Sequence, residues 1–551
     1  MGFSDISSFG SEIPTPNIDS IGKEGVTFTQ FYNCGKCMPT RGSIMTGLQP
    51  HQVGTAGNGG RLNTSCVTIA EVLKSAGYGT YVSGKWHMRD NGPLSRGFDQ
   101  AFWAEIYGRD YFDPTFAIGG KSDHFLNSAP YTGTKPDGTP YTDYYLTDAE
   151  ADFGIHFMRE NKNHSSDPFF LYLSFCAPHY PIQARREDID LFRGSYLEGW
   201  DAIRSERFAR LKASGIIPSP TELTPRDDDV PAWSTIADKD KDLWDLRMSV
   251  HAAMMHRLDL SIGRVLRHLK SAGLDDNTLV MFLSDNGGTA EGHNKGTPGQ
   301  TGSKCTYQPP WGNASNTPFY KFKLWVHEGG IATPFLARWP AAVKQAAKNS
   351  EPGHVMDIMA TCLEASGATY PDTFNGNAIK PHQGKSLLPL MTNQPRESHP
   401  FLCWEFIGRK AVRKGNWKLV LQPDGSWTLH DMSIDRTEIH DLSARHPDVA
   451  HELKDMYNAW WKNKWVVPDA WATSVRSAQQ GSAPKSSLPW THMGNRFRLT
   501  HTSQAKNPRI SVCNARGRHL GFVKPDAGGF ADLKKLGVGP FDIVLIHVDA
   551  S

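Results

Sequence analysis

Cys37-Met38-Pro39-Thr40-Arg41-Gly42-Ser43-Ile44-Met45-Thr46-Gly47 brings a thiol, a proline and a guanidinium close together. Pro39 fixes its own φ and restricts Met38 to extended conformations, so we expect Cys37 at a turn of the chain. Arg41 carries a planar fork of donors that suits a tetrahedral oxyanion, and it keeps its charge. The small and apolar residues that follow allow a helix to begin here, which adds backbone N–H groups that favour an anion. Taken alone, the pattern fits a buried cysteine beside a loop proline equally well.

The surroundings of this stretch decide between the two interpretations. Cys37-x-Pro39-x-Arg41, followed by Thr46-Gly47, resembles the signature of the sulfatases of the alkaline-phosphatase superfamily. In that family the cysteine is oxidised after translation to formylglycine, whose hydrated aldehyde is the nucleophile. The resemblance therefore implies a partner, a formylglycine-generating or other sulfatase-maturing enzyme, that reads the proline and the arginine.

The composition is that of an ordinary globular protein. The chain has 551 residues, of which 39% are hydrophobic and 21% charged, enough for a large core and more than one domain. The formal charge of +2 gives no reason to expect nucleic acid as a partner. An apolar run of about 18 residues is absent from the sequence, so we predict no membrane span.

The eight cysteines are scattered, and Cys34 and Cys37 form the one close pair. A zinc site would need a second close pair, and a thioredoxin-like site would need a strand before and a helix after the pair. We therefore interpret Cys34 as a neutral neighbour of Cys37.

The beginning of the chain also resembles the sulfatases, with one difference. In that family Gly-Phe-Ser-Asp, here Gly2–Asp5, follows a strand that ends in two adjacent aspartates, both calcium ligands. This chain begins at Met1, so the resemblance implies that the first central strand and its Asp-Asp pair are missing, and Asp5 lies too far on to replace them. We expect a periplasmic or secreted protein if a signal peptide precedes Met1, and a cytoplasmic one if Met1 is the true start.

Alternating strands and helices predict an α/β fold for residues 1–397. Thr68 and Glu71 form a capping box that opens a helix, and the apolar runs Pro168–Phe175 and Thr278–Leu283 are typical of parallel strands buried on both faces. We expect a mostly parallel central sheet flanked by helices, which the resemblance makes alkaline-phosphatase-like.

Two further regions follow the predicted α/β domain. Residues 398–470 predict a small antiparallel sheet with one helix at Pro447–Trp461, which resembles the C-terminal subdomain of sulfatases. Residues 471–551 carry 11 Lys and Arg against 4 Asp and Glu, and we interpret them as a linker and a basic appendage. A small extra module with strands at Ile510–Val512, His519–Val523 and Ile543–Val548 is the second interpretation of this region, after the solvated appendage.

Hydrolysis of a sulfate ester needs a nucleophile, cations for the sulfuryl oxygens and a proton for the leaving oxygen. Asp285-Asn286 follows a buried strand and offers two hard oxygen ligands appropriate for Ca²⁺, although an Asn-Gly turn gives the same pattern. The resemblance implies that Lys85 contacts the sulfate, that His87 contacts the nucleophile's hydroxyl, and that the leaving oxygen lies near His179 and Lys323. The candidate residues are Cys37, Arg41, Lys85, His87, His179 and Lys323 for catalysis, and Asp285 and Asn286 for calcium.

The leading hypothesis is a calcium-dependent, formylglycine-dependent arylsulfatase-type hydrolase that acts on a small-molecule or carbohydrate sulfate ester. A phosphonate or phosphate-ester hydrolase of the same superfamily is the neighbouring interpretation, because the same nucleophile serves either ester. A non-catalytic product of a truncated gene, deficient in its metal site, is the alternative from a different class. We interpret His51, His293 and His327 as supporting or substrate-side residues at most.

Overall fold

The computed structural model describes residues 1–57, 60–105, 110–115, 117–118, 121–164 and 167–467, and six strands between Trp490 and Val548. The longer helices are α1 (Pro16–Lys23), α2 (Cys37–Thr46), α3 (Ile69–Ser75), α4 (Leu146–His164), α5 (Gly199–Ala213), α6 (Asp238–Ser271), α7 (Gln308–Ser315), α8 (Asp357–Ser366) and α9 (Pro447–Lys462). None of the helices in these ranges is long and apolar enough to cross a membrane.

An 11-stranded sheet forms the centre of the molecule. Its strands are β1 (Val26–Tyr32), β2 (Gly79–Lys85), β3 (Gln100–Ala104), β4 (His124–Leu126), β5 (Ala129–Pro130), β6 (Phe169–Phe175), β7 (Thr278–Ser284), β8 (Ala332–Arg338), β9 (Ala347–Asn349), β10 (Gly353–His354) and, after the subdomain described below, β15 (Asp542–Val548). The order is β9-β1-β8-β7-β15-β6-β2-β3-β4-β5, with β10 also paired to β1. The segment β7-β15-β6-β2-β3 is parallel throughout.

Helices cover both faces of this sheet. Neighbouring residues of β6 point to opposite faces: Leu171 joins a core with Phe153 of α4 and Leu258 of α6, whereas Tyr172 joins a second core that α2, α3 and α8 complete. Every residue of β6 and β7 is buried. Such strands read as continuous apolar runs because both of their faces are covered. The predicted α/β fold with a flanked, largely parallel sheet is confirmed.

The last strand of the chain corrects two expectations. β15 lies between β6 and β7 and is parallel to both, so the C-terminal segment contributes to the central sheet. The interpretation of Ile543–Val548 as part of a separate module is therefore wrong. The second expectation was that the centre of the sheet lacks its N-terminal strand. A strand from the other end of the sequence, β15, occupies the centre of the sheet. The physical reason is the run Ile543-Val-Leu-Ile-His-Val548, which has the apolar, β-branched character of a strand buried in a parallel sheet.

The two ends of the chain meet beside β7. Val548 pairs with Ser284, the last residue of β7, and the Ser284 hydroxyl donates to the carbonyl oxygen of Met1 over 3.0 Å. The other strands after residue 489 pair among themselves, in a sheet of Trp490–Met493, Arg496–Leu499 and Phe530–Asp532 and a hairpin of Ile510–Cys513 and His519–Val523. β15 is thus the strand of this region that reaches the central sheet.

A four-stranded antiparallel sheet forms the C-terminal subdomain. Its strands are β11 (Leu402–Phe406), β12 (Arg409–Lys414), β13 (Trp417–Leu421) and β14 (Trp427–Asp431), and α9 packs on one face. The predicted subdomain of antiparallel strands and one helix is confirmed. Lys418 attaches it to the main domain, because its buried ammonium lies 2.7 Å from carboxylate oxygens of both Glu328 and Glu438.

Candidate active site

Helix α2 presents Cys37 and Arg41 on one face. The helix begins at Cys37, directly after Lys36, whose backbone is extended with φ −155° and ψ 150°. Pro39 is tolerated there because the N–H groups of a first turn have no partner within the helix. Cys37 and Arg41 are four residues apart, and both are buried. The predicted start of a helix is confirmed, whereas the expected extended conformation of Met38 is wrong, because Met38 lies in the first turn of the helix that begins at Cys37 itself.

The Arg41 guanidinium contacts the ends of two strands. Its Nε and Nη2 each lie 3.1 Å from Oδ2 of Asp285, the residue after β7, and its Nη1 donates to the carbonyl oxygen of Lys85 at the end of β2. The same carbonyl accepts a hydrogen bond of 2.7 Å from Ser174 of β6. Arg41 and Asp285 are fully buried, so each charge depends on the other. The structure therefore brings Arg41, Lys85 and Asp285 together directly.

The backbone changes direction between Lys85 and His87. Lys85 is the last extended residue of β2, whereas His87 has a φ of +54°. Side chains two residues apart on an extended strand point to the same face, and this relation is lost at His87. A positive φ is uncommon for histidine and stores strain that the surrounding structure must hold. Both side chains are nevertheless buried at this edge of the sheet.

His179 lies after β6, the neighbour of β2 in the sheet. It is buried, its Nδ1 lies 2.7 Å from the carbonyl oxygen of Tyr180, and its own carbonyl accepts a hydrogen bond of 2.8 Å from the Tyr111 hydroxyl. The Tyr180 ring lies between those of His179 and His293, at centroid distances of 4.6 and 5.1 Å. His293 therefore lies on the His179 side of the site.

Lys323 is held against the residues that follow β7. Its N–H donates to the carbonyl oxygen of Gly288 over 3.0 Å, and its Nζ lies 3.9 Å from Glu291 Oε1. The next residue, Leu324, donates its N–H to the carbonyl oxygen of Gly35 over 2.8 Å, which brings this segment beside Lys36.

Lys36 is a site residue that the sequence analysis did not select. Burial lowers the pKa of its ammonium group, the charges of Lys323 and Lys85 lower it further, and Cys37 and Glu291 raise it. Lys36 therefore shares the electrostatic environment of the predicted site. Its position next to Cys37 was the feature of the sequence that could have identified it as a site residue.

Asp285 and Asn286 offer carboxylate and amide oxygens, the ligand chemistry that Ca²⁺ prefers. Both residues are buried. The side-chain nitrogen of Asn286 donates to the Gly287 carbonyl over 2.8 Å, so the side-chain oxygen of Asn286 points away from that contact. The donor types fit calcium. Within the described ranges no group of three or more His, Cys, Asp and Glu side chains could hold a metal, so these two residues alone do not complete the six to eight ligands that calcium takes.

Two other histidines near the motifs serve packing. His51 Nε2 lies 2.6 Å from Glu405 of the subdomain, and its ring stacks on that of Trp465. His327 Nε2 lies 3.2 Å from the side-chain oxygen of Gln422, and burial lowers its pKa to about 3. Both contacts join the main domain to the C-terminal segment that follows it.

The Sulfatase family model matches residues 1–368, and the model of the C-terminal part of N-sulphoglucosamine sulphohydrolase matches residues 318–462. The chain belongs to the sulfatase family. The first match contains all the predicted site residues, and the second covers the subdomain. The motifs of the sequence and the fold of the structure therefore agree on the same family, and this sulfatase is a hydrolase.

Relatives and solved structures support the assignment. The chain is similar to an uncharacterized sulfatase of Schizosaccharomyces pombe, with 33% identity over 85% of this chain and 92% of the relative. It is also similar to the arylsulfatase of Klebsiella aerogenes, with 32% identity over 70% and 89% of the two chains. A solved structure, of BT4656 with its substrate D-glucosamine-2-N,6-O-disulfate, aligns with a TM-score of 0.58 and 20% identity over 84% and 95% of the two chains. At that identity the likeness concerns the fold alone.

Proposed function

We propose that this sulfatase hydrolyses carbohydrate sulfate esters with a formylglycine made from Cys37 and a calcium ion held by Asp285 and Asn286. The observation that carries the proposal is the buried contact of Arg41 with Asp285 and with the Lys85 carbonyl, on the helix that begins at Cys37. A sulfate brought to Cys37 would meet charges that are already in position. Preorganised charge of this kind is usually the largest contribution to catalysis.

Each residue then has a defined part. Arg41 and Lys85 bind the sulfuryl oxygens, Lys323 and His179 neutralise or protonate the leaving oxygen, and His87 contacts the nucleophile's hydroxyl. The matured side chain would supply a hydrated aldehyde, one hydroxyl of which attacks sulfur and displaces the alcohol. The second hydroxyl then loses its proton and re-forms the aldehyde, which breaks the carbon–oxygen bond to the covalent sulfate and releases it, and water hydrates the aldehyde again. Calcium, when bound, supplies a positive charge for a sulfate oxygen.

Two observations support a carbohydrate substrate and a maturation partner. The aligned structure of BT4656 contains a sulfated glucosamine as its substrate. The Cys-x-Pro-x-Arg stretch is intact, so we propose that a formylglycine-generating or other sulfatase-maturing enzyme acts on Cys37 before folding buries it.

The test is to express the full chain with and without a formylglycine-generating enzyme and to measure the mass of the peptide containing Cys37. We expect conversion only with the maturing enzyme, and turnover of 4-nitrophenyl sulfate by the converted protein but not by Cys37→Ala. Faster turnover of 4-nitrophenyl phosphate or a phosphonate ester would favour the neighbouring reaction. Conversion without turnover of any of these esters would favour the non-catalytic alternative.

A further inference from the structure

One segment of the chain holds the loop that follows β7 and contains the candidate metal ligands. It consists of residues 323–331, directly before β8, and we name it the bracket segment. The N–H of Lys323, its first residue, donates to the Gly288 carbonyl over 3.0 Å. Near its other end, the Gly330 carbonyl accepts a hydrogen bond of 3.0 Å from the Gly287 N–H. The bracket segment therefore contacts this loop at two points.

The two backbones approach each other so closely that a side chain would not fit between them. A Cβ atom on Gly287 would lie 1.8 Å from the carbonyl oxygen of Gly329, well inside the 3.0 Å that such atoms keep. The Asn316 side chain holds the loop as well, because its Oδ1 accepts a hydrogen bond of 2.7 Å from the Gly288 N–H. A shift of the bracket segment would therefore displace the loop without unfolding it.

The bracket segment also contacts the chain that leads into Cys37. The Leu324 N–H donates to the Gly35 carbonyl over 2.8 Å, and the Asn33 N–H donates to the Ile331 carbonyl over 2.8 Å. One stretch of backbone thus lies between the residues before the candidate nucleophile and the loop of the candidate metal ligands. Its position affects both.

A buried carboxylate anchors the bracket segment. Glu328 is fully buried, and its Oε1 lies 2.7 Å from the Lys418 ammonium. Its Oε2 lies 3.1 Å from the Tyr32 hydroxyl and 3.3 Å from the Arg436 guanidinium. The backbone N–H of Glu328 donates to Glu438 over 2.8 Å. All of these partners except Tyr32 belong to the C-terminal subdomain.

The Glu328 carboxylate keeps its charge in these surroundings. Burial raises the pKa of this carboxyl, but the positive charges of Lys418, Arg436 and Arg413 outweigh burial and lower the pKa below its ordinary value. Without the charge, the buried Lys418 would keep Glu438 as a carboxylate partner, 2.7 Å away. A neutral side chain at position 328 would therefore loosen the bracket segment while the subdomain keeps part of its ionic network.

We infer that Glu328 is a positioning residue for the reaction, and that Lys418 and Glu438 act through it. Glu328 fixes the bracket segment, which sets the positions of Lys323 and of the loop of the candidate metal ligands. The inference rests on the proposed function for the parts that these groups take in catalysis. It gives the C-terminal subdomain a task in the reaction, because the buried charges of the subdomain hold residues of the main domain in place.

The first test is amide hydrogen exchange in the full-length, unmatured protein, which needs no turnover. Glu328→Gln keeps the size of the side chain and removes its charge. The amides of Gly287 and Lys323 should exchange about tenfold faster in this variant, whereas the amides of β6 keep the wild-type rate. Asp245→Asn is the matched control, because Asp245 is an equally buried carboxylate of α6 that pairs with Arg193. This control should leave both exchange rates unchanged.

The second test compares two esters in the matured protein. Glu328→Gln should reduce kcat for 4-nitrophenyl sulfate about 10- to 100-fold, since a displacement of about 1 Å is sufficient for such a loss. The loss should be larger for phenyl sulfate, because phenolate is the more basic leaving group and depends more on Lys323 and His179. A smaller fraction of folded enzyme would reduce both rates equally, which is what Asp245→Asn should show if it reduces them at all.

Tyr32→Phe serves if Glu328→Gln does not fold. It removes one hydroxyl that contacts Glu328 and no charge, so it should change the same two exchange rates and the same ratio of kcat values by a few-fold. The inference is overturned if the folded variant keeps wild-type exchange at Gly287 and Lys323, or loses turnover of both esters equally. If the matured wild type hydrolyses no sulfate ester, the proposed function has failed, and the exchange rates still decide whether Glu328 positions the loop.

Discussion

The floor and the mouth of the candidate site are built differently. The floor consists of Arg41, Lys85 and Asp285, which are fully buried and tied to the ends of parallel strands. The mouth consists of Lys36, Lys323 and Glu291, of which Lys36 and Glu291 are half-buried. It is assembled from loops, a segment before β8 and a hairpin of the subdomain, whose Phe406 ring lies 5.5 Å from the Lys36 ammonium. The floor therefore depends on the integrity of the sheet, whereas the mouth depends on contacts between separate segments.

This difference separates positions that the fold requires from positions where it tolerates change. Buried charges that pair with each other leave little room for change, because a lost partner leaves the other charge less compensated. Half-exposed charges tolerate substitution, since water screens what is lost. We expect changes in the floor to affect folding and turnover, and changes in the mouth to affect stability much less.

The largest effect should come from breaking β15, on which the floor depends. Leu545 pairs with Tyr172 of β6 and Met281 of β7, so Leu545→Pro removes a hydrogen-bond donor from the centre of the sheet. We expect insoluble protein, or loss of the cooperative thermal transition by calorimetry. Leu520→Pro, in the hairpin outside the central sheet, is the matched control. Equal behaviour of the two variants would show that β15 does not support the floor.

The next effect compares one carboxylate of the floor with one of the mouth. Asp285→Asn removes the carboxylate that lies 3.1 Å from two nitrogens of the buried Arg41 guanidinium, and it should lower the free energy of unfolding by about 3 kcal/mol. Glu291→Gln removes a partly exposed charge 3.9 Å from Lys323 and should change it by about 0.5 kcal/mol at most. Urea denaturation of the two variants measures both values. Similar losses would contradict the division into floor and mouth.

The floor could be predicted from the sequence, and the mouth could not. Cys37, Arg41, Lys85 and Asp285 belong to local motifs at a helix start and at strand ends, and the family resemblance of these motifs implied that they meet. Lys36 and Phe406 are 370 positions apart and meet through the packing of the subdomain, which no local pattern encodes. The prediction for β15 was wrong for a related reason. Its apolar pattern predicted a strand, but which strands it pairs with is a tertiary property that a local pattern does not show.

The smallest effect is a pH dependence at the margin of the floor. Glu105 accepts a hydrogen bond of 2.6 Å from the N–H of Arg89, two residues after His87, and burial raises its pKa to about 8. The folded chain therefore keeps a proton that the unfolded chain releases, so stability falls as the pH rises from the ordinary glutamate pKa towards 8. Glu105→Gln keeps the hydrogen-bond acceptor without the charge and should stabilise the protein by about 1 kcal/mol at pH 8.5, with little change at pH 4.5. Melting curves across this range measure the difference, and equal stabilisation at both pH values would mean that the carboxyl does not titrate in this window.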